Sequence, residues 1–194
     1  LQTAGVNTLR PVTEVADGKY TKVSVKQEVP LMPVNSQELR IHRLALGLYD
    51  IQGNKVVRRS SISFDLEGEF AEITELVGEP LADLLLVNDK DLSYGKVRLD
   101  ERSIATLKTH IGEIEDGLTR TVCWSAVWDM LRDAELSATD FLDIVMTGLP
   151  GEDDITTVTT LGNQIYSAIE NYSHPSKRDA KRVEVAAFIE KLMS

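Results

Sequence analysis

A chain of 194 residues with 42% apolar and 27% charged side chains is long enough to bury one large core or two small ones. Its net charge of −10 and isoelectric point near 4.8 argue against a nucleic-acid partner, because holding a phosphate backbone takes a positive footprint that displaces counterions. No run approaches the roughly 20 apolar residues of a spanning helix, no signal-peptide pattern appears, and the single Cys123 has no internal disulfide partner. A soluble protein in a reducing, cytoplasmic setting without membrane contact is expected.

From Tyr20 to about Val87 the chain reads as strands. "YTKVSVKQEV" sets Val23, Val25, Gln27 and Val29 on one face and Lys22, Ser24, Lys26 and Glu28 on the other, which predicts a half-buried strand. "LRIHRLALGLYD" puts Leu44, Leu46 and Leu48 on one face, and the turn Gln52 to Asn54 joins it to "KVVRRSSISFDL" as a hairpin. "GEFAEI" and "LADLLLV" add two short candidates separated by the breaker "VGEP". Several short strands with turns between them predict a compact antiparallel sandwich.

The rhythm changes between Leu85 and Leu107. An apolar run gives way to "NDKD", recovers in "YGKVRLD", and continues with helical spacing. Asp100 is placed to cap a helix carrying Ile104, Leu107 and Ile111, with Gly112 as its stop. A second helix, about Ile114 to Ala134, is apolar nearly all round between Val122 and Leu131 and so reads as central. Ser137 starts a third, with Phe141, Leu142, Val145 and Leu149 on one face, ended by Pro150 and Gly151. In the next segment the threonines favour a strand, but Ile155, Val158, Leu161, Ile165, Ile169 and Tyr172 recur every three or four residues. Glu152, Asp153 and Asp154 suit the positive end of a helix dipole, so a helix is predicted. A last helix after Pro175 carries Val183, Ala186, Ala187, Phe188, Ile189 and Leu192. Five helices on short turns predict a bundle or the start of a solenoid.

No residue pattern defines an active site. His42, His110 and His174 have no second ligand at metal-binding spacing, and His42 reads as a satisfied structural residue. Nucleophile elbow, P-loop and dinucleotide motifs are absent, and Cys123 lies in an apolar segment that makes it a core filler. The pair Asp153 and Asp154 reads as a helix start, and Asp129 with Asp133 as a helical surface pair beside Arg132; an independent hydrolase using Asp153 or Asp129 would need a pocket around them. Trp124 and Trp128, four apart, read as core, with a partner groove as the alternative. "KRDAKR", Lys177 to Arg182, puts cations at a helix start, which suits a solvated face or docking to an acidic surface. "NYS" at Asn171 matches a glycosylation sequon but carries little weight without a secretion signal.

Several stretches resemble actinobacterial-type aminopeptidase N, within the gluzincin zinc aminopeptidases. "LQTAGVNTLRP" is similar to the segment that closes that family's catalytic domain, and "LRIHRLALGLYD", "LLVNDKDLSYGKVRLDERS" and "CWSAVWDMLRDAELSATDFL" are similar to stretches that follow it in the same order. The resemblance implies a mainly-β plus all-α fold: an immunoglobulin-like antiparallel β-sandwich, then the first helices of an α-helical bundle or superhelical domain. It implies residues 1–19 as tail and linker from the catalytic domain, 20–88 as a spacer sandwich, 89–99 as an interdomain joint, and 100–194 as the N-terminal part of the helical domain. The parent would use zinc, a glutamate base and a tyrosine to remove N-terminal residues from peptides. The family's zinc motif, its substrate-recognising motif and its catalytic tyrosine would lie upstream. The resemblance therefore implies no catalytic, cofactor or metal residue within these 194, with zinc held elsewhere in the parent. The partners implied are the parent's catalytic domain and its peptide substrates, and the alternative is an interaction module that binds a protein or peptide without catalysis. Further helices would follow Ser194 in such a parent.

Overall fold

The computed structural model describes residues 4–30 and 38–194 of the chain. It divides into two compact units, Leu1–Ile104 and Ala105–Ser194. Among the described residues the first holds seven strands, β1 (Thr8–Ala16), β2 (Lys19–Glu28), β3 (His42–Gln52), β4 (Lys55–Leu66), β5 (Phe70–Glu72), β6 (Leu84–Val87) and β7 (Lys96–Val97). They form two sheets, in the orders β5-β2-β1-β7 and β4-β3-β6. All pairings are antiparallel except β1 with β7.

Two hairpins organise these sheets. In the first, Ala16 pairs with Lys19 across Asp17 and Gly18, both at positive φ (50° and 73°). That backbone matches the right-handed twist of the strands, and Asp-Gly is the dipeptide that adopts it most readily. In the second, Gln52 pairs with Lys55 across Gly53 and Asn54, with Gly53 at φ 65°. The segment expected as a tail is therefore corrected. Thr8–Ala16 is an inner strand, with Leu9 fully buried, because the Asp17-Gly18 turn folds it back along β2. The stretch expected as a joint is corrected in part, since Lys96 and Val97 pair with Thr8 and Leu9, and the Arg98 amide donates to the Leu9 carbonyl at 2.9 Å.

The inner face of β2 is as predicted for Val23, Val25 and Gln27, all buried. Gln27 uses its whole amide. Its oxygen accepts from Asn7 Nδ2 and the Arg40 N–H, each at 2.7 Å, and its nitrogen donates to the carbonyls of Arg40 and Gly68, each at 2.9 Å. A polar side chain survives burial there because every one of its hydrogen-bonding positions is filled.

β3 is buried on both faces. Leu44, Leu46 and Leu48 lie on one side, with Ala45, Gly47 and Tyr49 on the other. On the second side the fully buried carboxylate of Asp89, just after β6, accepts hydrogen bonds from the Tyr49 hydroxyl and from Ser61 Oγ at 2.9 Å, and pairs with Arg58 Nε at 3.3 Å. The Arg58 guanidinium also lies over the Tyr49 ring, 5.4 Å from its centroid, and donates to the Tyr49 hydroxyl at 2.9 Å. This close approach requires a glycine in β3. A Cβ at Gly47 would fall 2.5 Å from Asp89 Cγ and 2.8 Å from Tyr49 Cε2.

The helices are α1 (Glu101–His110), α2 (Gly117–Arg132), α3 (Ala138–Gly148), α4 (Ile155–Ser167) and α5 (Arg178–Leu192), so the mainly-β then all-α order holds. Four N-caps carry the second half. Asp100 accepts from the Ser103 N–H (2.7 Å), Asp116 from that of Leu118 (3.3 Å), Ser137 from that of Asp140 (3.0 Å), and Asp154 from that of Thr157 (2.7 Å). The second unit buries Val127, Met130, Phe141, Leu142, Ile144, Val145, Leu161, Ile165, Ala168 and Val185. The Thr147 hydroxyl donates to the Lys108 carbonyl at 2.9 Å, tying α3 to the end of α1.

Three expectations differ here. Gly112 is not a left-handed helix stop; it lies in a 3₁₀ turn, Ile111–Glu113, where a Cβ would touch the Gly148 carbonyl at 3.4 Å. The chain after α4 passes through a π-helical turn, Ala168–Tyr172. In α5 only Val185 is buried, while Val183 is 71% exposed and Leu192 44% exposed, so its expected apolar face is largely open among the described residues.

A matched pair of substitutions separates packing from propensity. Gly47→Ala is expected to lower unfolding free energy by about 2–3 kcal/mol, because its methyl would overlap the Asp89 carboxylate. Gly162→Ala, inside α4 with nothing within 4 Å of the new methyl, should instead stabilise by up to about 1 kcal/mol. Urea denaturation of the two variants checks both signs.

Candidate functional site

The histidines, the cysteine and the acid pairs singled out from sequence do not converge on one place. His42 is buried, and its Nε2 has no hydrogen-bond partner among the described residues, where a satisfied residue was expected. Burial first, and the Arg40 charge second, hold its pKa below the ordinary histidine value. His110 Nδ1 lies 2.7 Å from the Thr109 hydroxyl, and His174 Nδ1 caps the turn Pro175–Lys177 by accepting from the Ser176 N–H. Cys123 is buried in the core of the second unit. Asp129 lies 3.8 Å from Arg132, and Asp133 is the C-cap of α2. Asn171 lies in the π-helical turn. Among the described residues, no group of three or more His, Cys, Asp or Glu is arranged to hold a metal ion. The zinc of the resembled family therefore has no fit here, and no reaction step is assigned to these residues through it.

The strongest charge constellation in the second unit was not anticipated as one. Glu152, read from sequence as a helix-dipole acid, instead has its side chain buried and bound in an ion pair. Arg120 Nη2 donates to Glu152 Oε1 at 3.0 Å and Arg120 Nε to Oε2 at 3.3 Å, with side-chain exposures of 11% and 4%. The Trp124 indole N–H donates to Glu152 Oε2 at 3.0 Å, and Arg120 Nη1 reaches the Ile114 carbonyl at 2.7 Å. Burial pushes the Glu152 pKa up; the bonds from Arg120 and Trp124, with the Arg120 charge, outweigh it and hold the carboxyl below its ordinary value. The bond to Glu152 likewise raises the Arg120 pKa. Asp153 is exposed on the rim of this pair and Asp154 is the α4 N-cap, so the two neighbouring acids play different parts.

Trp124 and Trp128 do not form an open aromatic groove. Trp124 is 4% exposed and packs where a Cβ on Gly148 would come within 2.7 Å of its ring. Trp128 lies 5.4 Å from Phe141 and 5.9 Å from Tyr172, centroid to centroid, the latter edge-on. Trp124 belongs to the core of the second unit, and Trp128 is half-buried at its edge. The only sequence cue to Glu152 was its place before Asp154; its partner Arg120 lies 32 residues earlier, beyond the reach of local pattern.

This architecture places the chain in a class: residues 84–194 match the ERAP1-like C-terminal domain, and the chain belongs to that family. A particular relative is Aminopeptidase N of Streptomyces lividans, 44% identical over 185 residues that make up 93% of this chain. The chain spans 22% of that relative's length. No helix among the described residues is long and apolar enough to cross a membrane.

Glu152→Gln is expected to weaken the second unit by about 3 kcal/mol at neutral pH, the range for breaking a buried ion pair. Because the folded pKa lies below the unfolded one, the contribution is complete above the ordinary glutamate pKa of 4.5 and is lost as pH falls through the lowered folded value. The stability gap between parent and variant should therefore close on acidification. Denaturation followed by tryptophan fluorescence reads this directly, since both tryptophans lie in α2.

Proposed function

We propose that this chain is the non-catalytic spacer and partial lid of a zinc-dependent aminopeptidase that removes N-terminal residues from peptides. The observation that carries the reading is the 44% identity, over nearly the whole chain, to a protein called Aminopeptidase N, of which it spans about a fifth. In this reading the strands between Thr8 and Val97 set a fixed distance, and the helices from Glu101 onward begin a helical cover over the reaction chamber. A cover of that kind excludes water and gates entry of peptide. The zinc, the base and the oxyanion donor belong to the catalytic domain of the parent, which is this chain's partner together with the parent's peptide substrates. The parent is assigned to the cytoplasm, in keeping with a chain that carries one cysteine.

The physical support is rigidity. A spacer must transmit position without flexing, and the buried Asp89 and Glu152 networks each lock several elements with charge-assisted bonds.

An alanyl chromogenic substrate tests the proposal. The isolated chain supplied with zinc is expected to give no turnover, and adding it to the remainder of the parent polypeptide should raise kcat/KM on peptides above that of the remainder alone. Turnover by the isolated chain, or no change on mixing although the two parts associate, would overturn it.

A further inference from the structure

We infer that a cleft in the second unit, between the α2–α3 turn and the start of α5, binds a small oxyanion carried on an apolar body. The cleft has a volume of about 420 Å³, within the roughly 300–1,000 Å³ usual for small-ligand sites. Leu131, Leu136 and Tyr172 give it an apolar wall. Its charged lining is Lys177 and Lys181 against one carboxylate, Glu135, with His174 beside them. That excess of positive charge runs against the −10 of the whole chain.

The basic run "KRDAKR" separates into two jobs along the helix. Its arginines are structural: Arg182 grips both oxygens of Glu170 (2.9 and 2.8 Å) and reaches Asp179, while Arg178 donates to the Ser173 carbonyl at 3.2 Å. Its lysines, four residues apart and so on one helical face, line the cleft. Lys181 is held at 2.8 Å from Glu184 with its side chain only 14% exposed. Lys177 has no ion-pair partner among the described residues. His174 Nδ1 accepts from the Ser176 N–H at 3.3 Å, which assigns the ring proton to Nε2 and leaves that position as a donor.

The remaining polar lining cannot compete for an anion. Ser137 Oγ donates to Asp140 at 2.8 Å and Ser173 Oγ to the Ala168 carbonyl at 3.0 Å, so both hydroxyl protons are engaged. What remains is the Lys177 ammonium, the Lys181 ammonium shared with Glu184, and an imidazole N–H, set against the single Glu135 carboxylate and beside an apolar wall. This pairing selects a carboxylate or phosphate attached to a hydrocarbon or aromatic group, and it disfavours cations. The wall is shaped by two backbone departures. Ala134, at φ 61°, turns the chain out of α2, and the π-helical turn sets Tyr172 against Trp128.

Calorimetry and amide-resonance mapping on the full 194-residue chain test the inference with four probes: 3-phenylpropionate, phenyl phosphate, inorganic phosphate and the uncharged 3-phenylpropanol. Phenylpropionate or phenyl phosphate is expected to bind and to shift resonances of residues 134–139 and 172–181, with the tighter of the two identifying the anion type. Each should bind at least about tenfold more tightly than phenylpropanol, a factor of ten being about 1.4 kcal/mol. Lys177→Glu, an exposed position whose folding is verified by its melting curve, should abolish that preference. The inference fails if no aromatic anion binds, if phenylpropanol binds equally well, if inorganic phosphate matches phenyl phosphate, or if Lys177→Glu leaves the affinities unchanged.

Discussion

A carboxylate with no exposed surface, that of Asp89, is the constraint on which the first unit depends. An ionised group of this kind is tolerated only where hydrogen bonds and an opposite charge replace its water. Tyr49 from β3 and Arg58 and Ser61 from β4 converge on it, while the Asp89 N–H donates to the Ala45 carbonyl at 3.0 Å. Three elements are thus held in one register by a single group. The absence of a side chain at Gly47 is what lets the carboxylate approach the sheet, so the glycine and the acid form one device separated by 42 positions in sequence.

The second unit repeats the logic with different parts. Glu152 is clamped by Arg120 and the Trp124 indole, and Gly148 leaves room for the tryptophan ring. In both units an aromatic side chain with a polar tip completes a buried ion pair beside a glycine. Apolar burial supplies most of the attraction in each core, and these networks fix which arrangement of elements the attraction selects.

Much of the fold was legible because it is written in local pattern. Alternation marked β2, the β3–β4 hairpin and the short strands after it, and the caps Asp100 and Ser137 marked their helices. Strand β1 was also signalled, by Asp17-Gly18 between two alternating runs, but its relation to a preceding domain's closing segment led to its being read as a tail. Strand β7 was not legible, since two residues carry no periodicity and its existence depends on β1, some 88 positions away. The same distance effect hid the Glu152 ion pair and the unsatisfied His42. The π-helical turn escaped because its residues keep a spacing compatible with an ordinary helix. The cleft lining was half visible in "KRDAKR", but only the structure shows that the arginines and lysines of that run face different tasks.

The parallel pairing of Thr8 and Leu9 with Lys96 and Val97 has a consequence for synthesis. As the nascent polypeptide leaves the ribosome, β1 can meet β2 at once through its tight turn, but its other edge must wait until nearly ninety more residues have emerged. Loop-closure entropy grows only slowly over such a span, so the delay is set by translation and not by the search for the partner. During that interval the open edge of β1 is the place where a misplaced strand, or a chaperone guarding against one, would attach.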